Sequence, residues 1–428
     1  MRYEPIDNEL FKLNRQKFID RMLPNSIAIF HSNDILPTNA DGVLPFKQNS
    51  DLFYLTGIDQ EETTLVLFPD STTEAYREIL FIKETSELIA IWEGHKLSKE
   101  EGLEKSKIKT IFWQKDLHEV LQLLIPHAAY IYLNNNEHAR STSEVETRND
   151  RLGKKLRLAY PLMKYERAAP IMHQLRFVKS EKEIETIQKA CDITEKGFRR
   201  VLSFTKPGKF EYEIEAEATH EFLINRSRGH AYQPIIASGK NACVLHYIDN
   251  NEKTKDGDLI LMDFGAEYGN YNSDLTRTIP ANGKFTKRQK EVYNAVLHVL
   301  NEAKKMLIPG NTFPKYNEAV GQLMERELIK LGLLNPEQVA KQDPSAPLYR
   351  KYFMHGTSHS LGLDVHDVDD RRMPFEKGMV FTCEPGIYIP EENIGIRLEN
   401  NIVVDEEPID LMNNIPITVE EIEALMAK

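Results

Sequence analysis

At 428 residues the chain is too long for one ordinary domain, so two or three are expected. Hydrophobic residues make up 41% and charged residues 28%, the balance of a globular protein with a substantial core. A formal net charge of -12 without any long basic run excludes a nucleic-acid partner, which needs clustered Lys and Arg to displace counterions.

The opening residues, Met1-Arg2-Tyr3-Glu4-Pro5, lack the charged-then-apolar pattern of a signal peptide. No apolar run approaches membrane-spanning length. Cys191, Cys243 and Cys383 are far apart and odd in number, which suits a reducing compartment and neither a disulfide framework nor a thiolate zinc site. A soluble, cytoplasmic chain is expected.

From residue 1 to about 170, short apolar runs alternate with polar, helix-like stretches. Ser26–Phe30, Thr64–Phe68, Glu78–Ile82 and Tyr130–Leu133 read as buried strands, giving a smaller α/β domain with no cluster of ligands or nucleophiles. Trp92, in Ala90-Ile91-Trp92-Glu93-Gly94-His95, is either an exposed aromatic reaching a second subunit or a partly buried packing residue.

A domain boundary is expected between Pro170 and Ser180, dividing the chain into 1–172 and 173–428. Ser180 and Glu183 form a capping box ahead of a helical pattern marked by Ile184, Ile187, Cys191, Thr194, Phe198 and Val201. Pro207-Gly208 stops it, and a second helix runs from about Tyr212 to Asn225. The same syntax returns with Thr286 and Gln289, a face of Val292, Val296, Val299 and Ala303, a stop at Pro309-Gly310, and a helix to about Leu331.

Alternating strands follow each helix pair, and they repeat. Gly257 is followed six residues later by Asp263 and then Gly265; Gly378 is followed six later by Glu384 and then Gly386. A second acid lies downstream of each, Asp274 and Glu399. A histidine precedes each, His246 by 17 residues and His366 by 18. The pattern reads as a duplicated unit of about a hundred residues, helices first and strands after.

Asp263 and Asp274 are symmetric about Tyr268-Gly269, so a symmetric hairpin would oppose them directly on one face. Two carboxylates so placed need a cation between them. Asp263 ends an apolar run, where a lone carboxylate is costly to bury. Glu384 and Glu399 are likewise symmetric about Glu391-Glu392. Arg397 sits two residues from Glu399 on one strand face, as an orienting partner or as a surface ion pair. Upstream, His355, His359 and His366 crowd into a dozen residues. His355 and His359 have zincin-like i, i+4 spacing, but no Glu follows His355, and Gly356 and Gly362 disfavour a long helix.

These residues resemble the pita-bread metallopeptidases, whose pattern is five ligands in the order Asp, Asp, His, Glu, Glu. Here the order falls on Asp263 (MDFG), Asp274 (SDLTRT), His359 (TSHSLG), Glu384 (CEPG) and Glu399 (RLEN), across roughly residues 175–410. Within that family the run His355–Asp367 and the segment Phe46–Gly57 are most similar to the aminopeptidase P branch. Asn400, after Glu399, departs from the Asp of many relatives.

The resemblance implies an α/β fold: a duplicated pita-bread catalytic domain behind a smaller N-terminal α/β domain. It also implies release of the residue before a proline in second position, by attack of water activated between two divalent ions about 3.5–4 Å apart. Four carboxylates and one imidazole suit manganese, with cobalt or zinc as alternatives. Asp263 and Glu399 are expected to bridge, with Asp274 on one ion and His359 and Glu384 on the other. Glu384 would also take the proton of the attacking water. His246 would stabilise the tetrahedral intermediate or protonate the leaving nitrogen, and His366 would contact the substrate carbonyl. His355 would line the proline pocket, with Tyr388 and Arg397 in support. A homo-oligomer, dimer or tetramer, comes with the family. The rival readings are a prolidase confined to dipeptides and a metal-free binding protein on the same fold.

Overall fold

The computed structural model describes residues 2–427. Two compact units divide between Arg176 and Phe177.

The first unit is built on one six-stranded mixed sheet. Its strands are β1 (Ser26–His31), β2 (Thr64–Leu67), β3 (Glu78–Ile82), β4 (Thr110–Trp113), β5 (Tyr130–Leu133) and β6 (Lys164–Arg167), in the order β4-β3-β2-β1-β5-β6. β1 runs antiparallel to β2 and parallel to β5, so it is central and every one of its residues is buried. That explains its continuous apolar sequence: a strand covered on both faces has no polar alternation. Its odd positions Ile27 and Ile29 join one core with Val66, Phe81, Ile131 and Leu156, while Phe30 on the other face packs edge-on against Phe18, centroids 5.1 Å apart. The four expected strands are present. β4 and β6 carried no such signature, because β6 (KYER) is a half-exposed edge and β4 is only partly buried.

The helices of this unit are α1 (Glu9–Ile19), α2 (Ser50–Thr56), α3 (Glu87–Glu93), α4 (Lys99–Ser106), α5 (Leu117–Leu124), α6 (Arg148–Ala159) and α7 (Ala169–Phe177). α2 lies within the Phe46–Gly57 segment; Asn49 caps it by accepting from Leu52 N–H, and Gly57 ends it at φ 67°. α3 has no buried residue, and Trp92 on it is 83% exposed. A division at 172/173 would cut α7. The helix belongs with the first unit, where Tyr54 Oη donates to Leu175 O and Arg176 pairs with Asp51 at 2.8 Å.

The second unit alternates helix pairs with strands. α8 (Glu181–Phe204) begins where Glu183 accepts from both the N–H and the hydroxyl of Ser180. α9 (Glu211–Ile224) packs beside it, followed by β7 (Ile235–Ser238), β8 (Leu259–Phe264), β9 (Glu267–Tyr268), β10 (Tyr271–Asn272) and β11 (Leu275–Pro280). α10 (Lys287–Lys304) opens on a reciprocal box: Thr286 Oγ1 accepts from Gln289 N–H while Gln289 Oε1 accepts from Thr286 N–H. α11 (Phe313–Lys330) follows, then β12 (Val380–Cys383), β13 (Gly386–Ile389), β14 (Ile394–Arg397), β15 (Asn400–Val403) and β16 (Ile409–Asp410).

The sheets are β11-β8-β7, β10-β9, β12-β15-β16 and β13-β14, all antiparallel. The two repeats meet along β11. Glu399 N–H donates to Thr276 O at 3.0 Å, and the Asn401 side chain both donates to Asp274 O (2.7 Å) and accepts from Asp274 N–H (3.0 Å). Gly265 lies against this seam so closely that a Cβ there would stand 1.8 Å from Ser273 O. Only glycine fits.

Candidate metal centre

Asp263 is the fifth residue of β8, and Asp274 immediately precedes β11. The register pairs Asp263 with Thr276, so the two aspartates are diagonal neighbours and not directly opposed as the symmetric hairpin required. The turn lies one residue later: Tyr268 pairs with Tyr271, leaving Gly269 (φ 60°) and Asn270 (φ 67°) at the tip. Two successive positive φ values make the type I′ turn, which Gly and Asn adopt readily and tyrosine does not. The shared face survives the offset because side chains two apart on a strand point the same way. The Tyr232 hydroxyl lies in hydrogen-bond contact with Oδ1 of both.

The second pair follows the expected geometry. Cys383 faces Asn400 and Gly386 faces Arg397, so Glu384 and Glu399 fall opposite each other between those pairs. A 3-10 turn at Pro390–Glu392 closes the hairpin.

The histidine run is not helical. His359 sits in an extended stretch beside β12, where its N–H donates to Thr382 Oγ1 (3.1 Å) and its carbonyl accepts from Thr382 N–H (3.0 Å). Its Nδ1 meets Ser360 O at 3.0 Å. That bond directs Nε2 inward, 3.4 Å from Asp274 Oδ2 and 3.6 Å from Glu384 Oε1. His366 stands edge-on to His359, ring centroids 4.3 Å apart, and is exposed. His355 is half-buried; its Nε2 meets Tyr388 Oη at 2.8 Å and its Nδ1 lies 3.8 Å from Glu384 Oε2. His246 is exposed, in a turn beyond the short 3-10 segment Gly239–Cys243.

Arg397 is buried, which removes the surface ion-pair reading. Its direct partner is Asp263, whose Oδ2 accepts from Nη2 at 2.7 Å. It reaches Glu399 through Thr276: Nε donates to Thr276 Oγ1 (3.1 Å), which donates to Glu399 Oε2 (2.7 Å). Nη1 donates to Tyr388 Oη at 2.9 Å. One planar guanidinium therefore ties an acid of each repeat to the Tyr388–His355 pair.

Tyr232 and Thr276 escaped the sequence reading. Thr276 stood inside the SDLTRT stretch, and a strand-face rule would have found it two residues from Asp274. Tyr232 has no local signal, because its loop meets the acids only in three dimensions.

Electrostatics separate the four acids. Burial lifts the Glu384 carboxyl to about 7, against the pull of His359 and Arg397. Burial, and then the charges of Asp274, Glu384 and Asp263, push Glu399 well above the carboxylate range. Asp263 is raised by burial despite Arg397. Asp274 is buried too, yet ends below its ordinary value because His359 donates to it and Tyr232 lies alongside. His359 is raised in turn, its burial outweighed by Asp274 and Glu384. His355 falls to about 4 through burial and the nearby Arg397. Tyr388 rises to about 12, mainly through burial.

A divalent cation fits this arrangement. Ligand atoms of Asp274, His359 and Glu399 all lie within 4.8 Å of one another, and all three residues are buried. Asp263 and Glu384 keep 15% and 20% side-chain exposure, on the accessible side. Mutual repulsion, which drives Glu399 upward, is what a cation removes. The expected division puts Asp263 between the ions and Asp274 apart from His359; the contacts bring Asp274 and His359 together. Asp274 is the two-sided residue, sharing Tyr232 with Asp263 through Oδ1 and facing His359 through Oδ2. Arg397 occupies the second oxygen of Asp263.

The family described as Metallopeptidase family M24 matches residues 185–406, and the one described as Aminopeptidase P, N-terminal domain matches residues 11–132. The Xaa-Pro aminopeptidase of Escherichia coli (strain K12) is 35% identical over 98% of this chain and 98% of its own. The solved aminopeptidase PepP of Pseudomonas aeruginosa has a TM-score of 0.90 at 32% identity, covering 99% of this chain and 98% of its own. A zinc-substituted E. coli aminopeptidase P in complex with product has a TM-score of 0.88 at 33% identity, covering 99% of each.

Proposed function

This chain belongs to metallopeptidase family M24 and is a metallo-aminopeptidase, and on that premise we propose that it removes the first residue from peptides with proline in second position. The observation that carries the reading is the convergence of Asp274, His359 and Glu399 within 4.8 Å, with Asp263 and Glu384 alongside.

Those five side chains would hold two divalent ions; Asp274, in contact toward Asp263 through Tyr232 and toward His359, reaches to both sides of the cluster. Four carboxylates to one imidazole favour manganese before cobalt or zinc. Bound ions of this kind polarise the scissile carbonyl and make water nucleophilic near neutral pH.

The chain's own residues supply the rest. Glu384, beside His359 and His355 on the accessible side of the acids, would take the proton of the attacking water as general base. His355, half-buried with its Nε2 against Tyr388 Oη, would line the proline pocket. His366, exposed at the edge of His359, would contact the substrate carbonyl. His246, on its exposed turn, would stabilise the tetrahedral intermediate or protonate the leaving nitrogen. Arg397 and Thr276 fix Asp263 and Glu399 relative to each other.

The reading also takes the protein as a cytoplasmic homo-oligomer. Three unpaired cysteines support the compartment. The fully unburied α3, with Leu88, Ile91 and Trp92 exposed, supports a contact between copies, dimer or tetramer. Among the described residues no helix is long and apolar enough to cross a membrane.

The test compares an Xaa-Pro-Xaa tripeptide with an Xaa-Pro dipeptide after Mn²⁺ is returned to metal-stripped enzyme. Preferred cleavage of the tripeptide is expected. Turnover of the dipeptide alone would replace this reading with a prolidase, and absence of metal-dependent turnover of both would remove it.

A further inference from the structure

Glu211, the first residue of α9, is a fully buried carboxylate that forms no ion pair among the described residues. Four donors fill its two oxygens. Oε1 accepts from Ser238 N–H (2.7 Å) and Ser238 Oγ–H (2.6 Å), at the end of β7. Oε2 accepts from Tyr247 Oη–H (2.7 Å) and Glu252 N–H (2.9 Å). The N-terminus of a fourteen-residue helix adds partial positive charge at the same place. An ionised carboxylate can accept all four bonds; an amide cannot, since one of its two polar atoms only donates.

Two of these donors, Tyr247 and Glu252, belong to the loop that carries His246, and the other two lie on Ser238, at the end of the strand before it. Residues 244–252 form no helix or strand; backbone bonds tie their ends, Val244 N–H to Asn241 O and Glu211 N–H to Glu252 O, and side chains hold the stretch between. Tyr247 follows His246 directly, and its ring packs with Ile235, Ala237, Leu261 and Tyr388. Tyr388 in turn bonds His355. Asn250 adds a further tie at φ 43°, accepting from Ile236 N–H and donating to Pro234 O.

We infer that Glu211 is a positioning residue: through the Tyr247 hydroxyl it fixes the turn that presents His246 to the substrate. The inference rests on the role proposed for His246 above. A displacement of about 1 Å at a working group can cost about a hundredfold in rate, so a clamp of this kind acts on kcat without touching the reacting atoms.

The experiment measures kcat and KM for Mn²⁺-loaded enzyme on an Ala-Pro-Ala tripeptide. The variants are Glu211→Gln, Tyr247→Phe and His246→Ala, with each of the first two also combined with the third; metal content is measured for all. The single variants E211Q and Y247F are expected to lose about tenfold or more in kcat, with KM and metal content close to wild type. In the His246→Ala background the same changes should cost nothing further, because residues acting as one unit are non-additive. Losses that multiply in the double variants would make Glu211 a structural residue only and overturn the inference, while His246→Ala remains impaired. A wild-type kcat for His246→Ala would instead overturn the role of His246 and the inference with it. Tyr247→Phe keeps the ring and the carboxylate, and carries the same test should E211Q fail to fold.

Discussion

The two acid hairpins of the second unit share a motif and differ in geometry. Asp263 and Asp274 lie eleven positions apart around a two-residue turn and meet diagonally; Glu384 and Glu399 lie fifteen apart around a 3-10 turn and stand opposite. Diagonal partners on a sheet are roughly 7–8 Å apart, directly opposed ones about 5 Å. The electrostatic outcome differs too: Asp274 is lowered by His359 against its own burial, whereas Glu399 is driven upward by burial and then by Asp274 and Glu384. Duplication therefore provides four carboxylates, and register decides how each pair of them meets.

The largest effect tests that inequality. Asp274→Ala should reduce turnover by a thousandfold or more, by about the scale of losing the metal-bound state, with circular dichroism unchanged. Asp263→Ala should retain more bound manganese than Asp274→Ala by metal analysis. Equal retention would restore Asp263 as the bridging partner.

Glu384→Gln comes next, with a loss of about 10²–10⁴ in kcat while metal is retained, the range for a lost general base. Arg397→Lys should cost about tenfold to a hundredfold in kcat/KM, because one ammonium cannot replace a fork that reaches Asp263, Thr276 and Tyr388 together.

The pH dependence tests Glu384 without mutation. Glu384 is raised in the fold, so the stability from its protonated form is present below the ordinary carboxylate range and is lost as pH rises toward about 7. Metal-stripped protein should thus gain more in melting temperature from Mn²⁺ at pH 8 than at pH 5.5. A gain independent of pH would remove Glu384 from the ion-binding set.

The smallest effect sits at the turn itself. Asn270→Val forces a β-branched residue to φ 67° and should cost about 1–3 kcal/mol in urea unfolding. Asn270→Gly keeps that backbone and should cost less. Similar losses for both would show that the Asn270 side chain, which accepts from Arg228, matters more than the turn.

Much of this was legible in the sequence, and the exceptions share a cause. The capping residues Ser180 and Thr286, the helix stops and the buried strands of the first unit follow from local chemistry. So does the Glu384–Glu399 pairing, whose turn lies at the symmetric point. The Asp263–Asp274 offset did not, since Tyr268-Gly269-Asn270 offers two turn positions and only the φ preference of Gly-Asn chooses between them. The direct partner of Arg397 is Asp263, which a single strand cannot reveal because Asp263 arrives from another. Tyr232 is the extreme case: its importance lies wholly in what folds against it.

Gly265 has a consequence for anyone diversifying this site. With a carbonyl oxygen where its β-carbon would go, the position is closed to nineteen of the twenty genetically encoded amino acids, alanine included. A library randomised across the loop should therefore return an invariant letter there, set by excluded volume and independent of the reaction selected for.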